Sequence, residues 1–234
     1  GGGTPDGFAP DRSELIDPQQ ETGEIAKSVR GLLKDTTHDG LLVTGSAAQQ
    51  AAIVRAVQSA NLSVPVILGP AATSPVFAST LVTDGGSLAG GFTTVGTNSG
   101  DALALQPGPE GAAMSAFLAA LRATAADPAI TDFFDGQPYA TVSATADSRS
   151  HDAVVALVTA AAKAGSSDPA AVSKALSGLA LDAADGLAGP GLTFTAAEAL
   201  AADAVVPLAA TVNDGGLRAQ TGSPTLTWFK APTN

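Results

Sequence analysis

Gly40 to Gly69 reads GLLVTGSAAQQAAIVRAVQSANLSVPVILG, and the order of its patterns decides the fold. Gly40 to Thr44 is a short apolar run opened by a glycine, as expected of a strand buried in a parallel sheet. Gly45 and Ser46 end it. In AAQQAAIVRAVQSAN, Ile53, Val54 and Val57 gather on one side while Gln49, Gln50, Arg55 and Gln58 lie largely elsewhere, so a helix follows the strand directly. Asn61 is a suitable C-terminal stop for that helix. Val64 to Leu68 is then a second strand, with Pro65 fitting its first residues better than its middle.

The same alternation continues outward. Downstream, in GPAATSPVFASTLV, Thr73 or Ser74 can cap a short helix with Pro75 at its first position. Ser87 to Val95 reads as a third strand, weakened by Gly90 and Gly91. Upstream, Ile25, Val29, Leu32 and Leu33 line one face of a helix that Thr22 could cap. Residues 1–21, with Pro5, Pro10 and Pro18, have no hydrophobic periodicity and read as a linker or disordered start. Three strand-helix units in sequence imply right-handed crossovers and a mostly parallel sheet, so the expected class is α/β with helices on both faces.

Ligands of such sheets sit outside the carboxyl ends of the strands, where loops and helix starts expose backbone N–H groups. That rule nominates Gly45 to Ala47, Gly69 to Ser74 and Thr93 to Thr97. The candidate ligand contacts are Gly45, Ser46, Ala71, Thr73, Ser74, Thr94 and Gly96. Glycine, serine and threonine at these places also serve as turn and cap residues.

Beyond the sheet units, Glu110 to Asp127 carries Met114, Phe117, Leu118 and Leu121 as a core stripe of one helix. Phe133, Phe134 and Tyr139 form the densest aromatic patch and are expected to pack between helices, with a ligand wall as the alternative. Asp152 to Lys163 is a helix whose Val154, Val155, Leu157, Val158 and Ala161 are too continuous for a wetted surface. Gly165 is its C-terminal cap, and Asp168 with Pro169 opens a helix presenting Val172, Leu176 and Leu179. GPGLTFT, AVVPLAATVNDGG and LTWF read as short strands, with a hairpin turn at Asn213 to Gly216 and with Trp228 and Phe229 anchoring the last strand.

The chain has 234 residues, a formal charge of -11 and no cysteine. Such acidity with no Lys/Arg cluster argues against a nucleic-acid partner, which needs a basic footprint. Absent cysteine removes disulfides, thiolate metal sites and a thiol nucleophile together. His38 and His151 each precede an aspartate, but neither spacing supports a metal site of three or four ligands. No G-x-S-x-G, G-x-G-x-x-G or P-loop pattern occurs in a suitable context. The expectation is therefore no catalytic residues, no metal, no cofactor and no enzyme. A start of GGGTPDG, without Met or a signal-peptide core, suggests a removed leader or a fragment.

Three short motifs carry a resemblance: HDAV at His151 to Val154, KAGSSDP at Lys163 to Pro169, and AVSKAL at Ala171 to Leu176. Together with GPGLTF at Gly189 to Phe194 and the Gly40 to Gly69 unit, they resemble the type I periplasmic solute-binding proteins of the leucine/isoleucine/valine-binding kind, served by ABC transporters. The resemblance covers about Thr22 to Phe229. His151 stands where that family usually has an aromatic, and a first α/β lobe has no counterpart here. The resemblance implies a division into second-lobe units at residues 22–106, helices returning toward a first lobe at 107–188, and C-terminal strands at 189–234. It implies a small-molecule ligand such as an amino acid, a membrane permease as partner, and a periplasmic or extracellular location with or without a lipid anchor. An extracytoplasmic sensing domain and a non-catalytic interaction module are the alternatives. With one complete lobe, ligand binding by these residues alone is expected to be weak or absent.

Overall fold

The structure is a computed structural model and describes residues 10–17, 19–34, 40–134, 136–212, 216–218 and 225–232. Pro5, Pro18, His38 and Asn213 to Gly215 of the sequence-based expectations lie outside the described residues.

Helix α1 (Thr22–Leu32) turns Ile25, Ala26 and Val29 inward. It starts one residue earlier than a Thr22 cap requires: Glu21 is the N-cap and makes no side-chain capping bond. The chain then alternates through β1 (Leu41–Val43), α2 (Ala47–Ser59), β2 (Val66–Leu68), α3 (Pro75–Thr83) and β3 (Thr93–Thr97). Asn61 ends α2 as expected, at φ 50, a left-handed conformation that Asn tolerates better than most residues. Ser74 caps α3 by accepting from the Val76 N–H, with Pro75 at the first helical position. The third strand begins six residues later than Ser87, because the chain turns at Gly90 and Gly91, the latter at φ 64.

Strands β1, β2 and β3 pair in parallel. The chain then leaves the sheet through α4 (Pro109–Ala126), α5 (Tyr139–Val142), α6 (Ser148–Ala164) and α7 (Pro169–Leu176). A small antiparallel pair follows, β4 (Ala180–Leu181) with β5 (Leu192–Thr193). Finally β6 (Val205–Thr211) and β7 (Thr227–Lys230) return to extend the main sheet antiparallel, giving the order β1-β2-β3-β6-β7. The α/β class and the parallel pairing of the first three strands are as expected. The strand status of LTWF is also as expected, with Trp228 buried.

Alternation along the strands explains how the sheet is covered. Val43, Leu68, Leu208 and Trp228 share one face and pack with Ala47, Ala51 and Val54 of α2 and Phe77 and Leu81 of α3. Phe77 and Phe92 meet edge to face at 5.2 Å, a favourable quadrupole arrangement. Ile25 and Val29 of α1 pack behind, on Ala56 and Val57. Coverage of the opposite face is lighter: Leu42, Ile67, Val95 and Val205 are 40 to 50% exposed. β1 is also an edge strand among the described residues, so Leu42 is less buried than the short apolar run suggests.

Helix α6 departs most from the sequence reading. Its buried line is Ser148, Asp152, Ala156 and Ala160, spaced by four, and these small residues let α6 approach Leu179, Leu181 and Leu187 closely. Val154, Leu157 and Val158 lie on the other side and are 59%, 52% and 62% exposed, so the expected burial of that face does not occur among the described residues. The aromatic patch is also corrected. Phe133 and Phe134 contact each other at 5.5 Å but are 94% and 89% exposed, because they sit on a loop closed by the Thr131 to Pro138 bridge rather than between helices. Gly165 does cap α6, at φ 59, and Asp168 caps α7 through the Ala171 N–H.

Two substitutions test this distribution. Gln50 is fully buried, donates to the Gly45 carbonyl at 2.9 Å and accepts from the Gly69 N–H at 2.8 Å, joining the ends of β1 and β2. Gln50→Leu should cost about 1–3 kcal/mol in urea denaturation, since it removes two hydrogen bonds worth about 0.5–1.5 kcal/mol each, leaving the Gly69 N–H with the Val43 carbonyl alone. Leu157→Lys on the exposed face of α6 should change stability by less than about 0.5 kcal/mol.

Candidate ligand-binding cavity

The carboxyl ends of β2 and β3 open into a cavity of about 700 Å³. That size lies within the range of small-molecule sites, roughly 300–1,000 Å³. Each wall follows from a local sequence feature. Pro70, Thr73, Ser74 and Pro75 come from the single-turn helix after β2 and from the capped start of α3. Val95 to Thr97, Ser99, Gly100 and Asp101 come from the end of β3 and the turn beyond it. The start of α6 brings Asp147, Ser148 and Arg149, while β6 and β7 contribute Val205, Leu208, Thr227 and Trp228.

Of the sequence-nominated residues, the structure brings Thr73, Ser74 and Gly96 together on this wall. Gly45, Ser46, Ala71 and Thr94 are not on it. Ser46 is occupied as the N-cap of α2, exchanging bonds with the Gln49 backbone and side chain. Gly45 offers its carbonyl to Gln50. Thr94 is buried, and its hydroxyl donates to the Leu68 carbonyl at 2.7 Å. Thr93 to Thr97 is strand β3 itself rather than a loop, and only its last three residues, Val95 to Thr97, reach the cavity at the carboxyl end.

The feature with no signal in the sequence is Arg218. Its Nε and Nη2 fork onto the Asp101 carboxylate at 2.5 and 2.8 Å, a two-bond geometry that a planar guanidinium suits. Its Nη1 donates to the carbonyls of Ser143, Ala144 and Ala146 at 3.4, 3.2 and 2.6 Å. The two side chains are only about one-fifth exposed. One side chain thus holds together the segment before β7, the turn after β3 and the approach to α6.

Asp147 forms the neighbouring wall. Burial raises the pKa of its carboxyl, but bonds from the Ser150 backbone N–H and hydroxyl, at 3.0 and 2.9 Å, and the nearby Arg149 charge outweigh that. The net effect holds it below its ordinary value. Ser148 donates to the Ser99 carbonyl at 3.0 Å, fixing the start of α6 to the turn beyond β3. Behind the cavity, Asp152 accepts from the Ala188 and Gly189 N–H groups at 2.7 and 2.8 Å, and His151 Nδ1 lies 3.0 Å from the same carboxylate. His151 also leans on Phe117 at 5.0 Å. The partners of this histidine are therefore structural, a buried carboxylate and a ring, and no group of three or more potential metal ligands occurs among the described residues.

The sheet of three parallel strands extended by two returning antiparallel strands, with its helices, is similar in fold to a solved type 1 periplasmic binding protein. The crystal structure of periplasmic binding protein type 1 from Bordetella pertussis Tohama I is similar with a TM-score of 0.54 and 18% identity over 85% of this chain and 48% of that one. This chain spans about half the length of that structure, and the likeness is one of fold. No protein-family model and no curated protein matches the sequence.

The lowered Asp147 pKa sets a pH signature. A carboxyl whose native pKa is depressed contributes stability that is complete above its unfolded value and is lost as pH falls through the native value. Asp147→Ala should therefore cost about 1 kcal/mol at neutral pH through the lost helix cap. That deficit should narrow on acidification below the ordinary carboxylate range, as measured by urea titrations of both proteins across the acid limb.

Proposed function

We propose that the chain is a solute-binding domain that holds a small molecule in the cavity at the ends of β2 and β3 without transforming it. The observation that carries this reading is the cavity itself: an enclosure of ligand size in the fold of a type 1 periplasmic binding protein, lined by hydroxyl and apolar side chains. Non-catalysis is supported by the side chains present. The carboxylates at the wall are committed to Arg218 and to the α6 cap, which leaves neither as an evident general base.

In the finer form of the proposal, the domain serves an extracytoplasmic uptake system of the ABC type, of the leucine/isoleucine/valine-binding kind, with a membrane permease as partner. Its ligand is then an amino acid or a related small polar molecule. Residues 22–106 and the returning strands act as one lobe, and residues 107–188 as the bridge toward another. β6 and β7 joining the β1 to β3 sheet supports that division. No helix among the described residues is long and apolar enough to cross a membrane. An attached sensing domain would use the same cavity and differ in its partner.

A thermal-shift panel of amino acids, amides and short acids tests the reading. Ligand at about tenfold its Kd stabilises by about 1.4 kcal/mol, a shift of several degrees in a chain of this size. At least one solute should raise the melting temperature, and Val95→Trp, which fills the cavity from β3, should abolish the shift. A panel in which no solute stabilises the wild-type chain, or in which the filled variant responds equally, removes the cavity from consideration.

A further inference from the structure

We propose that, of the two ligand classes left open above, the cavity takes the uncharged small molecule with an apolar body and a few hydrogen-bonding groups, in preference to ions and to the amino-acid zwitterion; this rests on the reading of the cavity as the solute site. Four charged side chains reach its wall: Asp101, Asp147, Arg149 and Arg218. They are two acids and two bases, so their formal charges cancel. More importantly, they are already paired with one another. Arg218 presents its Nε and Nη2 edge to Asp101 and its Nη1 to three backbone carbonyls, so the edge that would fork onto a ligand carboxylate is taken. Asp101 likewise has both oxygens on Arg218, which leaves a ligand ammonium no uncompensated carboxylate there. Asp147 accepts from Ser150 twice and lies 3.4 Å from Arg149 Nε.

An entering ion would lose water and find three of the four charges on the wall, those of Asp101, Asp147 and Arg218, already held by short hydrogen bonds. Burying an ion without a counter-charge is among the costliest steps in recognition. An uncharged solute meets no such penalty. Val82, Val95, Val205, Leu208 and Trp228 supply apolar contact. The hydroxyl oxygen of Thr73, whose hydrogen goes to the Pro70 carbonyl, and the bonded hydroxyl pair of Thr97 and Ser99, 2.8 Å apart, supply hydrogen-bond acceptors. Arg149 is the point of greatest exposure to challenge: its side chain is about half exposed, and a solvent-screened pair of this kind is easily broken. An anion that recruits Arg149 is therefore the strongest competitor, and it belongs in the test.

The experiment compares solutes of one skeleton at neutral pH: 4-methylpentanamide, 4-methylpentanoate, 3-methylbutylamine and leucine. Binding is read by ligand-observed saturation-transfer NMR and by the fluorescence of Trp228, the one tryptophan of the chain, which lines the cavity. The amide should bind on the order of tenfold more tightly than the anion, the cation or the zwitterion. Asp101→Asn, which leaves Arg218 without its counter-charge, should narrow or reverse the gap between amide and anion. Equal or tighter binding of any charged probe by the wild-type chain overturns the selectivity while leaving the solute site standing. Failure of all four probes to bind, with a solute of the broader panel still stabilising the chain, overturns the selectivity alone; failure of every solute overturns the solute site as well. An Asp101→Asn protein that folds, by its circular dichroism, and keeps the full preference for the amide shows that the ion pair does not set selectivity.

Discussion

The Arg218 to Asp101 fork is the interaction on which the arrangement of the cavity depends. Asp101 follows β3 directly, Arg218 precedes β7, and the carbonyls that Arg218 also reaches lie just ahead of α6. The pair lies 117 positions apart in sequence, so it closes a loop that no local propensity would close. Removing one member of a largely buried pair leaves the other without compensation, at a cost of about 3–5 kcal/mol in well-buried cases. The pair's principal role is positional. It sets where the turn after β3 stands relative to the start of α6, and those two segments, joined by the Ser148 to Ser99 bond, adjoin in the lining of the same space.

Around that fork the chain relies on close approach between small residues rather than on bulk. Aromatics make up 4% of the sequence, and the largest core contacts come from few side chains, Phe77, Leu81 and Met114 among them. Gly100 shows the consequence: a Cβ there would stand 2.4 Å from the Trp228 carbonyl, so the turn after β3 can lie against β7 only without a side chain. Asp152 works similarly on the other side of α6. Its carboxylate receives two backbone N–H groups from Ala188 and Gly189, satisfying donors that the tight packing of this segment would otherwise leave buried and unpaired.

What the sequence made legible was whatever repeats locally. The strand-helix-strand order of Gly40 to Gly69, the caps at Ser74, Asp168 and Gly165, and the stripe of Met114, Phe117 and Leu118 all depend on residues within a few positions of one another. Thr73, Ser74 and Gly96, nominated by the rule that places ligands at strand ends, line the cavity. Thr94 was nominated by the same rule, yet it lies nearer the middle of the strand, buried, with its hydroxyl on the Leu68 carbonyl. The face of α6 with Val154, Leu157 and Val158 was misjudged for a related reason: periodicity reports which residues share a face, but burial depends on what lies opposite. Asp101 and Arg218 gave no signal at all, since two isolated charges far apart in a sequence resemble any solvated pair.

The lighter coverage on one side of the sheet has a colloidal consequence. β1 ends the sheet among the described residues, and Leu42 at that edge stands beside Ile67 with both partly open to water. An edge of this kind can template pairing with another chain, although three residues make a short template. The formal charge of -11 opposes such encounters by mutual repulsion between copies. That repulsion is screened over about 10 Å at 0.1 M salt, whereas apolar attraction is not. The balance between dispersed and self-associating protein is therefore set by ionic strength as much as by the fold.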